Sequence, residues 1–190
     1  LGLRNVAAIV GSDVSSNDNV FKSDIETFKD DNKNDNIKIY YAWEYESWDE
    51  IKSAISDDFG NEKIDALVIA AHSNVDEIIL SNDYKRPGRP NIYIKSNTSW
   101  RGLKFSKDAN NKKAVMNLDE NGDFKSYSGE LVDVKSIAQV IANKTGVTVW
   151  AFTNYSSQKE LNGGYYQVAV DRYGESLMSF SYTSGHFWWK

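Results

Sequence analysis

Three apolar segments separated by stretches of helical periodicity constrain the fold of this chain more than any other feature. They cover residues 6–10, 37–43 and 64–71. Two of them contain continuously apolar runs, at 6–10 and 66–71, which is the pattern of a strand covered on both faces. Strands that alternate with single helices favour right-handed crossovers and a parallel sheet.

Helix signals lie between these segments and again near the C-terminus. Asn17 or Asp18 is positioned to cap a first helix. Ser47, followed by Glu50 three residues later, forms the capping-box pattern of a second helix. Asp133 is positioned to cap a third. The alternation of helix and strand therefore continues beyond the first half of the chain.

The middle and the end of the chain show short alternating runs joined by turn residues. Predicted strands cover 77–80, 91–95, a hairpin of 114–118 with 124–127 around Asn121 and Gly122, a buried strand at 147–152, and a terminal hairpin within 165–182. No linker-like segment divides the chain. We therefore expect one α/β domain over residues 1–190. It would be a three-layer sandwich with a mainly parallel central sheet plus antiparallel hairpin extensions in the middle and at the C-terminus.

Composition excludes several classes of function. The 190 residues include no cysteine, which excludes disulfides, thiolate metal sites and a cysteine nucleophile. A net charge of -5 argues against a nucleic-acid partner, and the basic tract 85–89 favours a solvated loop. No apolar run approaches the roughly 20 residues that span a bilayer. We expect no membrane span, no cofactor and no metal site.

The carboxyl edge of the predicted parallel sheet is where a site is expected, because ligands of open parallel sheets bind beyond the strand ends. His72 and Ser73 directly follow the third strand. Asp13 follows the first strand, and Thr153 follows the strand at 147–152. We predict that Asp13 lies beside His72 and orients its imidazole. Ser73, Thr153 or Ser156 would then supply a hydroxyl group.

Each of these residues also has an ordinary structural explanation. A histidine at a strand end is often only a hydrogen-bonded residue, and Asp and Ser are common turn formers. His72 stands out because the chain has two histidines and one falls on this edge. The other, His186, lies in an aromatic segment that favours packing of the terminal hairpin. The acidic segment 119–123 lacks the spacing of a calcium loop and favours a hairpin turn.

The segment 65–72, with the sequence DALVIAAH, resembles the histidine strand of caspase-like cysteine peptidases. Residues 136–153 are similar to the helix-then-strand segment of bacterial caspase-like domains. The resemblance implies a catalytic His72 and a nucleophile on the following strand, near residues 117–119. This chain departs from the family because Ser73 replaces the usual glycine and because it has no cysteine. We therefore expect a hydrolase-like, peptidase-like site that is degenerate or has a replaced nucleophile.

The first residues, Leu1-Gly2-Leu3, are similar to the end of the junction at which RHS-repeat proteins release a C-terminal toxin domain. The first residue is not Met, and a strand begins shortly after it. The resemblance implies a bacterial effector that is part of a larger protein. Such an effector is secreted or delivered into a target cell, and we expect its substrate or target to be a protein or peptide.

Two other functions stay open. In the first, residues 71–75 form the nucleophile elbow of a serine hydrolase, with Ser73 as nucleophile, Asp171 as acid and His186 as base. Val75 is badly suited to so sharp a turn because it is β-branched. In the second, exposed aromatic side chains bind a protein or a carbohydrate without catalysis. The candidates for that surface are Trp43, Trp100, Trp188 and Trp189.

Overall fold

The computed structural model describes residues 4–12, 20–73, 77–82, 88, 90–106, 114–118, 137–147, 149–152, 165–170 and 176–182. The helices among them are α1 (Val20–Asp31), α2 (Trp48–Phe59) and α3 (Ile137–Thr145), and a short 3-10 turn covers Ala42–Glu44. The strands are β1 (Asn5–Val10), β2 (Asn36–Tyr41), β3 (Ala66–Ser73), β4 (Ile78–Ser81), β5 (Ile92–Ile94), β6 (Ala114–Leu118), β7 (Val149–Phe152), β8 (Tyr165–Val170) and β9 (Ser176–Tyr182).

The strands join into a mixed sheet on which the helices pack. The order across the sheet is β2-β1-β3-β6-β7-β8-β9. β1 pairs in parallel with β2 and β3, and β6 pairs in parallel with β3 and β7. β8 and β9 continue the sheet as an antiparallel hairpin. The α/β class expected from the sequence is confirmed.

A second ladder begins at the end of β3. β3 pairs with β1 as far as Ala70. Its last two residues, His72 and Ser73, pair in antiparallel fashion with Ile79 and Ile78 of β4. β4 pairs in turn with β5, also in antiparallel fashion. The two short strands expected around the basic tract are therefore present, and they extend β3 beyond the main sheet.

β6 has a different place from the one expected. The sequence predicts residues 114–118 as one strand of an antiparallel hairpin with 124–127. Instead, β6 lies between β3 and β7 and pairs with each in parallel, with Asn117 opposite Ala70. The hairpin interpretation of 114–118 is wrong because both edges of β6 are occupied by other strands. Residues 124–127 lie outside the described part of the chain.

Alternate residues of β1 and β3 face two separate apolar clusters. One cluster holds the inner face of α1, and the other holds α2 and α3. The cluster under α1 includes Val6, Ala8, Ala66, Val68, Ala70, Phe21, Ile25 and Phe28. The cluster under α2 and α3 includes Ala7, Ile9, Leu67, Ile69, Ala71, Ile51, Ile55 and Ile141. Burial on both faces explains why residues 6–10 and 66–71 are continuously apolar.

The start of α2 is capped as its sequence predicts. The Ser47 side chain accepts a hydrogen bond from the Glu50 backbone N–H at 3.1 Å. The Glu50 carboxylate accepts one from the Glu46 backbone N–H at 2.7 Å, one residue before the cap. These two bonds determine where α2 begins. The predicted caps of α1 and α3 lie outside the described residues.

Candidate functional site

His72 lies at the carboxyl end of β3, but inside the strand rather than after it. β3 extends through Ser73, two residues beyond the predicted end at Ala71. The extension exists because β4 supplies an antiparallel partner, with Ile79 opposite His72. The side chain of His72 is half-buried. Strand pairing therefore holds this histidine at the edge where β1 and β6 also end.

The imidazole of His72 lies against the first turn of α1. It meets the ring of Phe21 edge to face, with ring centroids 4.8 Å apart and ring planes at 83°. Ala70 belongs to the cluster under α1, and strand residues two apart share a face, so His72 lies on the α1 side of the sheet. Because Phe21 is buried, its contact positions the imidazole at the boundary of the core.

After β1, the backbone of Gly11 and Ser12 packs closely against the ends of β3 and β4. The Gly11 N–H donates to the Ala70 carbonyl at 2.7 Å, and the Ser12 N–H donates to the Leu80 carbonyl at 2.9 Å. A Cβ on residue 11 would lie 2.6 Å from the Cβ of Ala71. Residue 11 must therefore be glycine for the backbone to come this close.

Several predicted site residues lie outside the described part of the chain. They are Asp13, Thr153, Ser156, Asp171, His186, Trp188 and Trp189, together with the segment 119–123 and the tract 85–89 except Gly88. Gly11 and Ser12 bring the first predicted loop to the end of β3, next to the strand that carries His72. The placement of Asp13 beside His72 stays a prediction, as does a role for Thr153.

Ser73 does not lie on the sharp turn that a nucleophile elbow requires. It is the last residue of β3, and its backbone pairs with Ile78. An elbow places the nucleophile between a strand and a helix. Here the next described element is β4, a strand. The backbone at Ser73 is therefore extended and differs from the serine hydrolase arrangement.

Asp24, a titratable residue of α1, was not predicted as a site residue from the sequence. It lies on α1 three residues after Phe21, and side chains at that spacing are neighbours on a helix. Its carboxyl is half-buried, and this burial raises its pKa from 3.8 to about 6. The signal in the sequence that could have identified Asp24 is an acidic residue at the boundary of the apolar face of α1. A carboxyl group of this pKa exchanges its proton near neutral pH, as groups in active sites often do.

The surface predicted from exposed tryptophans does not include Trp100. Trp100 is only 6% exposed, and its ring packs edge to face on Trp48 of α2 at 5.2 Å between centroids. Trp43 is half-buried, with its ring 5.1 Å from that of Tyr41. The prediction of Trp100 as an exposed binding residue is wrong because its indole is part of the core.

Metal ligands and membrane-spanning segments also bear on function. Within the described residues, no group of three or more His, Asp or Glu side chains is arranged to hold a metal ion. The described helices include none that is both long enough and apolar enough to cross a bilayer.

The edge formed by the ends of β1, β3 and β6 is thus the candidate site, with His72 on β3. No protein-family model, curated protein or solved structure matches this chain.

Proposed function

We propose that this chain is an effector-type domain with a hydrolase-like, peptidase-like site around His72. We propose further that its scaffold is a three-layer α/β sandwich with a mainly parallel central sheet. The parallel pairing of β2, β1, β3, β6 and β7 supports this scaffold. The two apolar clusters support it as well, because one holds α1 and the other holds α2 and α3.

The half-buried imidazole of His72 at the carboxyl edge of the sheet is the observation that carries the proposal. In open α/β sheets, ligands bind at this edge. The register brings Val10, the end of β1, opposite Ala70. It brings Leu118, the end of β6, opposite Ala71. The segments that follow both strands therefore leave the sheet beside the strand end that holds His72.

His72 acts as the general base in the proposed reaction. Neutral imidazole accepts a proton from the attacking water or hydroxyl while the oxygen adds to the carbonyl carbon of the substrate. The same imidazole returns that proton to the leaving nitrogen or oxygen when the bond to the carbonyl carbon breaks. Imidazole suits both steps because it titrates near neutral pH. The contact with Phe21 holds the ring in place and leaves part of it accessible.

The nucleophile in this proposal is water or a hydroxyl group, because the chain has no cysteine. The caspase-like peptidases that residues 65–72 resemble carry their cysteine on the strand after the histidine strand. In this chain the corresponding neighbour is β6, where Asn117 stands opposite Ala70. An amide is not a nucleophile. A site of this kind therefore activates water, or it retains peptide binding after the loss of catalysis.

Replacement of each histidine separately tests the proposal. His72→Gln and His186→Gln are matched variants, since each removes an imidazole and leaves a polar side chain. The readouts are growth arrest on expression inside bacterial cells and cleavage of a peptide library by the purified chain. Circular dichroism and urea denaturation check that each variant folds. We expect His72→Gln to abolish both activities and His186→Gln to leave both unchanged.

Other outcomes identify the alternatives. Full activity in a folded His72→Gln variant would remove the catalytic role of His72. Loss of activity in His186→Gln, together with labelling of Ser73 by a fluorophosphonate probe, would favour the serine hydrolase function instead. If the unsubstituted chain cleaves no peptide and neither variant changes its effect on cells, the domain acts by binding alone.

A further inference from the structure

A cleft opens on the face of the sheet that α2 and α3 cover, whereas His72 lies on the α1 face. It has a volume of about 590 Å³ and lies between the segment 97–105 and the end of α3. The lining residues that matter most are Asn97, Thr98, Trp100, Arg101, Phe105 and Lys144. A cleft of this size fits a small molecule.

The cleft and His72 lie on opposite faces of β3. Ile64, just before β3, is bonded to the cleft segment: its N–H donates to the Lys104 carbonyl at 2.8 Å, and its carbonyl accepts from the Ser106 N–H at 2.9 Å. Trp100 belongs to the cluster of α2 and α3, whereas His72 contacts α1. The two sites are therefore separate.

Side chains of α2 fasten the segment that forms the cleft by binding its backbone carbonyls. The Ser99 carbonyl accepts hydrogen bonds from the Trp48 indole N–H at 2.8 Å and from the Lys52 ammonium at 3.0 Å. Lys52 also donates to the Arg101 carbonyl at 2.9 Å. A wall that is ordered before a ligand arrives lowers the entropic cost of binding.

Two cations line the cleft, and no carboxylate is among its lining residues in the described part of the chain. Arg101 is exposed, and its guanidinium forms no ion pair with any described residue. The Lys144 ammonium donates to the Thr98 carbonyl at 3.0 Å and keeps further N–H groups for a ligand. In a chain of net charge -5, this is a locally positive site.

Further hydrogen-bond donors surround these cations. Thr98 Oγ1 accepts from the Lys95 backbone N–H at 2.8 Å, and Ser99 Oγ accepts from the Arg101 backbone N–H at 3.3 Å. Both hydroxyl protons therefore remain available to donate. The exposed amide of Asn97 adds further donors. Many donors, two positive charges and no acid suit an oxyanion, and guanidinium binds phosphate through two parallel hydrogen bonds.

The remaining lining of the cleft is apolar. Leu103 and Phe105 are half-buried and Trp100 is buried beside them. The lining therefore matches a ligand that joins an oxyanion to an apolar body.

We propose that this cleft binds a small molecule that carries a phosphate group on an apolar body. Arg101 and Lys144 bind the phosphate oxygens, and Leu103 and Phe105 contact the apolar part. The site lies apart from the His72 edge, so it does not depend on the proposed hydrolase function.

Phenyl phosphate is a suitable probe because it joins a phosphate dianion to an apolar ring. Calorimetric titration compares it with inorganic phosphate, benzoate and phenol. Arg101→Gln removes a cation whose side chain no described residue uses, and Lys33→Gln, in the exposed turn after α1, is the matched control. We expect phenyl phosphate to bind most tightly and Arg101→Gln to weaken it by about tenfold or more. Lys33→Gln should leave its affinity unchanged.

Four measurements decide the proposal. Unchanged affinity in Arg101→Gln overturns it, and so does benzoate that binds as tightly as phenyl phosphate. The second pKa of a phosphate monoester is about 6, so binding should weaken as the pH falls through this value. Binding that strengthens instead contradicts the phosphate contact. We expect His72→Gln to bind phenyl phosphate normally, and a loss there would assign the binding to the His72 edge rather than to the cleft.

Discussion

Gly11 and Ala71 approach so closely that a methyl group on residue 11 would lie 2.6 Å from the Ala71 Cβ. The added atom would also lie 3.0 Å from the Ala71 Cα and 3.3 Å from the Ala70 carbonyl oxygen. These backbone atoms belong to the close-packed centre of the sheet and cannot move aside cheaply. We expect Gly11→Ala to lower the free energy of unfolding by about 2 kcal/mol, measured by urea denaturation.

A double-mutant cycle isolates this collision. Ala71→Gly removes the nearest atom, so Gly11→Ala should cost less in the Ala71→Gly background than in the unsubstituted chain. We expect a coupling free energy of about 1 kcal/mol. Strict additivity of the two substitutions would mean that the atoms do not collide and that the cost of Gly11→Ala has another origin.

Asp24 makes the stability of the protein depend on pH. Its pKa is about 6 in the folded chain and 3.8 without burial, so between these values the folded state holds the proton more tightly. Stability therefore falls as the pH rises from about 4 to about 6. Asp24→Asn removes the free-energy cost of burying an ionised carboxylate. After allowance for partial exposure, we expect a gain of about 1–2 kcal/mol in the free energy of unfolding at neutral pH and almost none near pH 4.

Glu26→Gln is the control for Asp24→Asn. Glu26 is an exposed acid on the same helix, so its replacement changes the charge of α1 equally without relieving a buried carboxyl. Urea denaturation at several pH values compares the two variants. An equal gain in both, or a gain in Asp24→Asn that persists near pH 4, would argue against burial as the cause.

Lys52 is buried, and its ammonium holds the cleft segment to α2. Lys52→Met keeps an unbranched apolar side chain but removes the ammonium and its hydrogen bonds to the Ser99 and Arg101 carbonyls. We expect the free energy of unfolding to fall by about 1–3 kcal/mol. Faster amide hydrogen exchange in the segment 97–105 should accompany the loss.

The Asp49→Asn variant distinguishes the stabilisation from those hydrogen bonds from the stabilisation due to the ion pair between Lys52 and Asp49. The Asp49 carboxylate lies 3.2 Å from the Lys52 ammonium, but its side chain is 87% exposed. An exposed pair of this kind contributes little, so we expect a change below about 1 kcal/mol. A cost as large as that of Lys52→Met would show that the ion pair, not the carbonyl contacts, holds the segment.

Phe21→Leu tests the contact that positions His72. Leucine keeps an apolar side chain at this buried position, so the fold should lose only about 1–2 kcal/mol. The edge-to-face contact disappears, and with it the ring-current shift of the imidazole protons, which NMR detects. Phe28→Leu, on the same helix but away from His72, is the control and should leave those proton resonances unchanged.

The sequence predicted elements whose signals are local. The apolar run in β3 and the Ser47 cap of α2 depend on neighbouring residues, and both are present. The pairing of β6 was missed because Asn121-Gly122 is a strong local turn signal, whereas a parallel partner lies far away along the chain. β3 was predicted two residues too short because its extension depends on β4, which the pattern of β3 does not contain.

The sequence predicted only the part of the functional residues whose signals are local. His72 was found because it directly follows an apolar run. Asp24 was missed because its burial depends on how α1 lies on the sheet. The cleft was missed because Arg101 and Lys144 are distant in sequence and meet only when α3 packs beside the 97–105 segment.

The central place of β3 has a consequence for how the chain folds. Its parallel partners β1 and β6 are distant from it in sequence, and α1, β2 and α2 lie between β1 and β3. Pairing across such distances is slow, so we expect refolding over roughly milliseconds to seconds. Until these strands pair, the apolar run 66–71 is exposed to solvent and to other chains. The polar residues Asp65 and His72 flank it. A run of this kind pairs readily with copies of itself, so the yield of refolded protein should fall as its concentration rises.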